Sequence, residues 1–467
     1  CSSLQSTLGS KIISSSAANY NTTLSTFWSG QSRGDDPSCI VQPTSSADVS
    51  AAVQILTSQY CKFSVKSGGH MPWAGASSIN GGIEIDLVNL SAVTLSSSNA
   101  TAFLGPGARW GQVYDTLTPL GYAVAGGRDS TVGVGGLILG GGYSWFAAAS
   151  GWVADSLVSV ELVTGDGSII TASATSHPDL FLVLKGGGNN FGIVTRYEVK
   201  AFPFGDLWGG IMVYPRSTTA AQITAFMDFT ANIKNDASAN MINIWSYQQA
   251  TGADLILNCL EYTKPIVAPA PYNELLAIQP LIASTMRITN LTDLTTELAD
   301  ATTQNMRYTF ITLTFKASAA MYQQAITISD SYLASHRNSP NLTWSLLFQP
   351  IPRIVQDHSV AAGGNIMGID RNAGDLMLFL LYITWQDAAD DAVFNAAGRA
   401  CVADIEAAGD KLGVNVPFIY MNYADKPQDV LSGYGTNNRR KMAAASRKYD
   451  PNGIFQNLVP GGWKIPM

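Results

Sequence analysis

The sequence has little charge and no long apolar run. Asp, Glu, Lys and Arg make up only 13% of its 467 residues, and the net charge is −7. A protein that binds nucleic acid needs a basic surface, so we expect no nucleic-acid partner. The longest apolar run, 376–385, is far shorter than the roughly 20 residues that cross a bilayer. We therefore predict a soluble protein without a membrane partner.

Several motifs of catalysis and metal binding are also missing. The four histidines are scattered and no C-x-x-C pair occurs, so we expect no metal site. Neither a G-x-S-x-G motif nor a P-loop lysine is present, which argues against an activated serine and a nucleoside-triphosphate site. The 46% apolar content indicates a well-buried globular protein, and the length suggests two or three domains.

Cysteine is rare, and three of the five cysteines fall in the first 61 residues. We expect one disulfide among Cys1, Cys39 and Cys61, although sequence alone does not fix the pairing. We favour Cys61 as one member because it begins a strand, with Cys1 and Cys39 equally acceptable as its partner. The chain begins without Met and is rich in Ser and Thr, so we expect a secreted, N-glycosylated protein that has lost a signal peptide. The N-x-S/T sequons are at Asn21, Asn89, Asn99, Asn290 and Asn341.

Glycine, by contrast, is concentrated in three loops. The stretch 126–142 holds eight glycines in seventeen residues, and the others are 68–69, which precede His70, and 186–188. Glycine lets the backbone approach a ligand closely and lets successive N–H groups surround an anion. This is not the Rossmann pattern, because Ile138 stands where the third glycine is required. The loops predict a large, flat, phosphate-bearing cofactor with His70 as its tether.

The pattern of strands and helices divides the chain. Strands at 39–41 and 63–65 flank a helical pattern, and the length of this connection favours parallel pairing. From about 205 to 420, alternating strands are separated by helical segments at 218–233, 319–336 and 387–408, which predicts an antiparallel sheet covered by helices on one face. The predicted strands of this region are 210–214, 255–262, 308–315, 344–349 and 376–385.

Several motifs in a fixed order give a more specific interpretation. They are Ser67-Gly68-Gly69-His70, Gly133-Val134-Gly135-Gly136 with Gly140-Gly141-Gly142-Tyr143, the run from Lys185 to Val194, Asn422-Tyr423-Ala424-Asp425, and the run from Tyr449 to Phe455. This ordered set resembles the fungal berberine-bridge-enzyme-like flavoproteins of the vanillyl-alcohol-oxidase superfamily, over nearly the whole chain. The resemblance implies an α+β fold, in which a two-lobed PCMH-type FAD-binding domain (1–204 and 421–467) is interrupted by a substrate domain (205–420).

The resemblance also implies FAD linked covalently through His70 to the flavin 8α-methyl group. Many relatives add a second bond through a cysteine, and here that position is Asp129, so we expect a single linkage. The residues assigned to the cofactor on this basis are Lys66, Ser67, Gly68, Gly69, His70, Met71, Gly75, Gly127, Asp129, Ser130, Val132, Gly133, Gly135, Gly136, Leu137, Gly140, Gly141, Gly142, Tyr143, Gly192, Ile193, Val194 and Asn422.

Two further positions bear on the chemistry that the resemblance implies. Leu137 stands where many relatives have a histidine near the flavin pyrimidine edge, so another donor must stabilise the reduced flavin. Val132 stands at the position thought to control oxygen access, as in relatives that react with dioxygen. A packing role for this valine is nearly as compatible with the sequence.

Oxidation of an alcohol needs a base for the hydroxyl proton. Tyr423 resembles the active-site tyrosine of the family, with Asn422 beside it and Tyr420 as the alternative base. A phenol needs a neighbouring cation or hydrogen-bond donor for this role. A cluster after a predicted strand lies where the substrate lobe is expected to face the flavin, although it also fits a solvated loop. Its members are Gln349, Arg353, Asp357 and His358.

The resemblance, together with these residues, implies a monomeric FAD oxidase that uses dioxygen and acts on a small-molecule alcohol or hemiacetal. The substrate is either a carbohydrate or a secondary-metabolite alcohol, and the sequence does not decide between them. Two alternatives remain open. One is an oxidative cyclase of natural-product biosynthesis with little net oxidase turnover, and the other is a non-catalytic protein that retains FAD.

Overall fold

Three β-sheets organise the computed structural model, which describes residues 1–466. The first sheet has the order β1-β2-β4-β3, in which β4 pairs in parallel with both β2 and β3. The strands predicted on either side of the first helical pattern are therefore parallel, as expected, but β4 lies between them. The strands are β1 (Ile12–Ser14), β2 (Cys39–Val41), β3 (Phe63–Lys66) and β4 (Ile83–Asp86).

The second sheet is antiparallel, with the order β5-β6-β10-β8-β9 and β7 paired to β10. Strands β8 and β9 form a hairpin, in which Val163 lies opposite Ile169. The strands are β5 (Val93–Leu95), β6 (Thr101–Leu104), β7 (Tyr122–Val124), β8 (Leu157–Val163), β9 (Ile169–Ser173) and β10 (Ile193–Pro203).

The third sheet has nine strands, all paired antiparallel, and its main path is β14-β11-β13-β12-β17-β18-β16-β19. All five predicted strands are present, but β12 was not predicted. Asn240, Asn243 and Ser246 interrupt its apolar pattern, and all three are buried, with Asn243 bonded to Asn258 of the next strand. The strands are β11 (Leu207–Pro215), β12 (Ala239–Gln248), β13 (Ala253–Tyr262), β14 (Ala283–Ser284), β15 (Arg287–Thr289), β16 (Arg307–Lys316), β17 (Thr343–Ile351), β18 (Leu376–Trp385) and β19 (Asn415–Val416).

Helices cover one face of the third sheet. Phe226, Tyr322 and Ile405 come from three long helices and are buried in one cluster with Phe348 and Phe379 of the sheet. The opposite face is left to line a cavity. The helices are α1 (Ser2–Leu8), α2 (Tyr20–Leu24), α3 (Gly30–Arg33), α4 (Ser46–Ser58), α5 (Trp110–Leu117), α6 (Val134–Leu139), α7 (Ala147–Ser150), α8 (Pro178–Leu184), α9 (Thr219–Asn232), α10 (Asn273–Leu276), α11 (Leu291–Asp300), α12 (Ala319–Ala334), α13 (Arg353–Ala361), α14 (Asp391–Leu412), α15 (Val430–Gly433), α16 (Thr436–Tyr449) and α17 (Ile454–Asn457).

The end of the chain returns to the first sheet. The backbone N–H of Phe63 donates to the carbonyl of Leu458 at 2.8 Å, and the rings of Phe63 and Phe455 meet edge to face. The segment around α17 therefore completes the core beneath the loop that carries His70. Among residues 1–466, no helix combines the length and apolarity that a membrane crossing requires.

The disulfide prediction was wrong in its choice of cysteine. Cys1 pairs with Cys39, with their Cα atoms 6.1 Å apart, and Cys61 is free. Because β4 separates β2 from β3, the start of β3 lies two strand spacings, about 10 Å, from the end of β2 that carries Cys39, and Cys61 precedes β3 by two residues. The position of β4 between these two strands decides the pairing.

Candidate functional site

A cavity of about 770 Å³ lies between the glycine-rich loops and the free face of the third sheet. On one side its lining comes from the 67–71 turn, the 128–140 stretch and the start of β10. On the other side it comes from β12, β16, β17 and β18. We call these two sides the glycine wall and the sheet wall. Tyr423 and Asn422 lie where the two walls meet.

Two loops cross in direct contact within the glycine wall. A Cβ atom added at Gly68 would lie 2.3 Å from the backbone nitrogen of Gly133, and one added at Gly133 would lie 2.2 Å from that of Gly68. Neither position has room for a side chain, because the obstacle is backbone. At Gly136, by contrast, an added Cβ meets nothing within 4 Å, since this residue faces the cavity.

The glycine wall fits a phosphate-bearing cofactor. Within residues 1–466, the backbone N–H groups of Gly68, Gly69 and His70 have no acceptor, and Gly69 adopts φ +64°. Successive free N–H groups in such a turn form a concavity that binds anions. A buried guanidinium nitrogen of Arg128 and the indole N–H of Trp463 are also unpartnered in the described chain and line the cavity. The residues present therefore fit a large anionic cofactor with a polar ring.

His70 presents its imidazole into the cavity from the turn after β3. The ring stacks on Trp28 with centroids 4.6 Å apart and an angle of 17° between the planes. Burial lowers the pKa of His70 to about 4, and Arg109 acts in the same direction, while Asp129 opposes both. The imidazole is therefore neutral at ordinary pH, as a tether must be before it reacts.

A short hydrogen-bonded chain ends on the His70 ring. Nε2 of His70 lies 2.9 Å from Oγ1 of Thr131, and this hydroxyl donates to Oδ1 of Asp129 at 2.6 Å. The backbone N–H of Thr131 donates to the same carboxylate oxygen at 2.7 Å, and Arg109 binds the Thr131 carbonyl. Thr131 is thus fixed on both its side chain and its backbone.

The hydroxyl of Tyr423 receives two hydrogen bonds. Arg128 donates from a guanidinium nitrogen at 2.8 Å, and the amide of Gln349 donates from the sheet at 3.3 Å. Arg128 also lies over the ring of Tyr143, 5.2 Å from its centroid. A cation and an amide therefore converge on one phenol oxygen at the junction of the two walls, which is the environment predicted for an active-site tyrosine.

Hydrogen bonds connect Tyr420 and Asn422 to the same part of the cavity. Asn422 donates from its amide to the Leu137 carbonyl at 3.0 Å and to the Tyr420 hydroxyl at 3.1 Å. Burial raises the pKa of Tyr420 above its ordinary value. Burial disfavours the ionised phenol that a base requires, whereas the Tyr423 hydroxyl is bonded to a cation, so this geometry favours Tyr423 over the alternative.

The sheet wall carries rows of side chains that change in character with distance from Tyr423. Gln349, which binds Tyr423, lies two residues from Leu347 on the same strand face. The next row, Ile244–Leu347–Leu380, is apolar, the following row is Ser246–Ser345–Tyr382, and the third is Gln248–Thr343–Thr384. Among the described residues, no charged side chain from the third sheet or its connections lines the cavity.

Most residues assigned to the cofactor from sequence line the cavity, but seven do not. Lys66 is buried beneath the turn, with its ammonium 3.4 Å from Asp86, and Gly127 packs on Trp110. The residues on the cavity wall are Ser67, Gly68, Gly69, His70, Met71, Asp129, Val132, Gly133, Gly135, Gly136, Leu137, Gly140, Gly192, Ile193, Val194 and Asn422. The residues away from it are Lys66, Gly75, Gly127, Ser130, Gly141, Gly142 and Tyr143.

The expected position of Arg353 and His358 at the site is wrong. Strand β17 ends at Ile351, and Pro352 caps helix α13, which carries both residues away from the cavity to pack beside α7. Arg353 binds Asp357 at 2.8 Å on this helix. Only Gln349, which is still within the strand, contacts Tyr423.

The sequence interpretation missed three residues of the site. Arg128 and Thr131 lie inside the glycine-rich stretch, and Trp28 comes from a distant segment. Arg128 is the one cation in the run 126–142, and this could have singled it out. Nothing in the sequence connects Trp28 with His70, because their contact depends on the tertiary fold.

The fold and the site together define an FAD-dependent oxidoreductase. A family model described as an FAD binding domain matches residues 37–173. Among solved structures, 6-hydroxy-D-nicotine oxidase from Arthrobacter nicotinovorans has a TM-score of 0.80, with 20% identity and 97% of each chain covered. Glucooligosaccharide oxidase from Acremonium strictum, whose structure is described with 6-S-cysteinyl, 8α-N1-histidyl FAD, has a TM-score of 0.78, with 20% identity and 98% of each chain covered.

Relatives of higher identity are fungal. FAD-dependent monooxygenase drtC of Aspergillus calidoustus is 36% identical over all of this chain and 90% of its own length. FAD-dependent monooxygenase sdcF of Emericella nidulans is 37% identical over all of this chain and 98% of its own length. The protein belongs to the same family as these FAD-dependent monooxygenases, and its fold is that of the berberine-bridge-enzyme-like flavoproteins.

Proposed function

We propose that the protein is an oxidase that removes the hydroxyl proton and a hydride from a neutral alcohol. The observation that carries this proposal is the Tyr423 hydroxyl, held by Arg128 and Gln349 where the two walls meet. FAD, when bound, supplies a two-electron acceptor that dioxygen reoxidises to give hydrogen peroxide.

In this proposal Tyr423 takes the hydroxyl proton of the substrate. To do so its oxygen must carry the negative charge of a phenolate, and Arg128 donates to that oxygen from a buried position. A charged donor already in place stabilises this charge without reorganisation. Gln349 donates from the sheet and so fixes the direction of the phenol. Asn422 holds the segment in place by bonding to the backbone of Leu137.

We propose His70 as the tether of the cofactor. Its neutral, stacked imidazole on the glycine wall supports this role, as does the histidyl linkage described for the Acremonium strictum oxidase. Asp129 cannot form a thioether, so the attachment is a single bond. His70→Ala should release flavin on acid precipitation, whereas the wild type should keep its flavin in the pellet.

The sheet wall supports a substrate that is neutral and apolar near the reacting alcohol. Ile244, Leu347 and Leu380 form the apolar row next to Gln349, while Ser, Thr and Gln side chains lie farther out. Rows on one face of a strand lie about 7 Å apart, so the apolar region extends over roughly one ring from the catalytic end. We therefore favour a secondary-metabolite alcohol over an oligosaccharide, whose many hydroxyl groups would face aliphatic side chains there.

The test compares Tyr423→Phe with wild type on cinnamyl alcohol, hexa-2,4-dien-1-ol and cellobiose. We expect the two apolar alcohols to release peroxide, and Tyr423→Phe to lower kcat/KM by about 100-fold, which is the usual contribution of a general base. Tyr332→Phe is the matched control, because that hydroxyl also has a hydrogen bond of 2.7 Å, to Asp404, but does not line the cavity. Unchanged turnover in Tyr423→Phe would show that the base is another group.

The monooxygenase names of the fungal relatives define the second candidate function. Reaction under ¹⁸O₂ separates the two candidates. An oxidase leaves the label in peroxide and water, whereas a monooxygenase places one labelled atom in the organic product. Label in the product would replace the oxidase proposal with oxygen insertion at the same site.

We also propose the domain division 1–204 with 421–467 and 205–420, supported by a third sheet whose strands lie between Leu207 and Val416. Secretion as an N-glycosylated monomer is proposed as well. The asparagines of four sequons are exposed, which supports glycosylation, whereas Asn290 is half-buried and caps α11 by accepting from the N–H of Asp293 at 3.0 Å. The exposed ones are Asn21, Asn89, Asn99 and Asn341.

A further inference from the structure

The hydrogen-bonded chain behind His70 has a direction that the chemistry of its groups determines. An aspartate carboxylate only accepts hydrogen bonds, and a threonine hydroxyl has a single proton to give. The proton of Thr131 therefore points to Asp129, at 2.6 Å. The hydroxyl oxygen is left to accept a proton from Nε2 of His70, at 2.9 Å.

This direction determines the tautomer of the imidazole. A neutral ring with its proton on Nε2 has its lone pair on Nδ1. Stacking on Trp28 holds the plane of the ring, and the bond of Arg109 to the Thr131 carbonyl holds the segment that carries the hydroxyl. The nucleophilic nitrogen is thus fixed in identity and in direction before any reaction.

We propose that Asp129 and Thr131 are positioning residues for covalent attachment, and that they make Nδ1 of His70 the atom joined to the flavin. This inference rests on the proposed tether. It gives Asp129 a role that differs from that of the cysteine at the same position in many relatives: the carboxylate acts through Thr131 on the histidine and forms no bond to the cofactor.

The attachment reaction balances with dioxygen as oxidant. One C–H bond of the 8α-methyl group and the N–H bond at Nε2 break, and a C–N bond forms at Nδ1. Two electrons pass to the flavin and two protons are released. The Nε2 proton leaves toward Asp129 through the Thr131 hydroxyl. Dioxygen then takes up two electrons and two protons as hydrogen peroxide.

The experiment measures acid-stable flavin in the full-length protein over time after FAD is added to preparations made under riboflavin limitation. Thr131→Val removes the hydroxyl at nearly constant volume, and we expect attachment to slow at least about tenfold, the effect of losing a hydrogen bond to a charged network. Asp129→Ala should slow it similarly, and the double variant no further, because the two residues act as a unit. Thr131→Ser should restore attachment.

Thr164→Val is the matched control. Thr164 donates to Asp166 at the same distance of 2.6 Å, but it lies in the β8–β9 hairpin and does not line the cavity. This variant should attach flavin at the wild-type rate. Non-covalent FAD binding, measured by quenching of flavin fluorescence, shows whether each variant still folds around the cofactor.

The outcomes separate this inference from the tether itself. Wild-type protein without acid-stable flavin would overturn the proposed tether. Acid-stable wild-type flavin with unchanged attachment in Thr131→Val, or equal slowing in Thr164→Val, would overturn the positioning role. NMR of the isolated flavin peptide identifies the bonded nitrogen, and a bond at Nε2 would contradict the tautomer assigned here.

Discussion

The two walls of the cavity differ in whether backbone or side chains form their surface. The glycine wall is largely backbone: loops cross without room for a Cβ, and free N–H groups point inward. The sheet wall is made of side chains that alternate along regular strands, so one residue faces the cavity and the next faces the helices. Function at the first wall depends on the absence of side chains, and at the second on their identity.

This difference affects how each wall tolerates substitution. Cβ atoms at the crossing of Gly68 and Gly133 collide with main chain, which cannot move without displacing both loops. On the sheet wall, a change of side chain leaves the hydrogen bonds between the strands in place. A substitution at this crossing of the glycine wall should therefore disrupt both the fold and cofactor binding. A substitution on the sheet wall should instead change the substrate preference gradually.

The largest effect should follow from Gly133→Ala, which tests the backbone character of the glycine wall. The added methyl group meets the nitrogen of Gly68 at 2.2 Å, so we expect a loss of about 3 kcal/mol in the free energy of unfolding, and loss of bound flavin. Denaturant unfolding and flavin absorbance measure these effects. Gly205→Ala, where nothing lies within 4 Å, is the control and should match the wild type. A stable, yellow Gly133→Ala protein would refute the backbone contact.

An intermediate effect should separate the two faces of one strand. Leu347 lines the cavity, whereas its neighbour Leu346 is buried against the helices. Leu347→Ala should raise KM for cinnamyl alcohol about tenfold, because an apolar contact with the substrate is lost, with little change in stability. Leu346→Ala should instead cost about 2–5 kcal/mol of stability. If Leu347→Ala and Leu346→Ala lost the same amount of stability, the sheet wall would be part of the hydrophobic core.

The smallest effect concerns a feature that the two lobes share. Glu84 in the first sheet and Glu261 in the third are buried, and burial raises the pKa of each from 4.5 to about 8. Above the ordinary pKa of glutamate, both carboxyl groups therefore stay protonated in the folded protein, whereas they lose their protons in the unfolded chain. Between about pH 4.5 and 8 the native state binds more protons, so the free energy of unfolding falls as pH rises.

Substitution tests this pH dependence. Glu84→Gln and Glu261→Gln should each reduce the loss of stability across that window by at least about 1 kcal/mol, since one pKa unit corresponds to that amount. The control is Glu274→Gln, at an exposed carboxylate, which should leave the slope unchanged. Denaturant unfolding at several pH values measures the slope. A wild-type stability that rises across the window would contradict the raised pKa values.

The sequence predicted the glycine wall better than the sheet wall, and the reason is physical. The glycine wall requires glycine at fixed positions and a histidine directly after two of them. Such a pattern can be recognised in the amino-acid sequence alone. The alternation of Ile244, Ser246 and Gln248 looks like that of any half-buried strand. Only the register across β12, β17 and β18 shows that these residues form ordered rows.

The errors have the same origin. Arg353 and His358 follow strand β17, which leads to the site. Helix α13 begins directly after this strand, however, and carries both residues away from the cavity. The pairing of Cys39 depends on β4, which enters the sheet from a later part of the chain. Tyr423 was predicted from its motif, whereas its cation, Arg128, lies 295 residues earlier and became evident only in the folded protein.

The return of the chain to the first sheet has a consequence for biosynthesis. Phe63 is held by Phe455 and Leu458, which the ribosome adds after every strand of the third sheet. The turn that presents His70 cannot reach its final packing before this segment has been synthesised. Contacts of such long sequence separation fold slowly. Loading of the chromophore is therefore a late event, and a polypeptide cut before this segment should remain colourless.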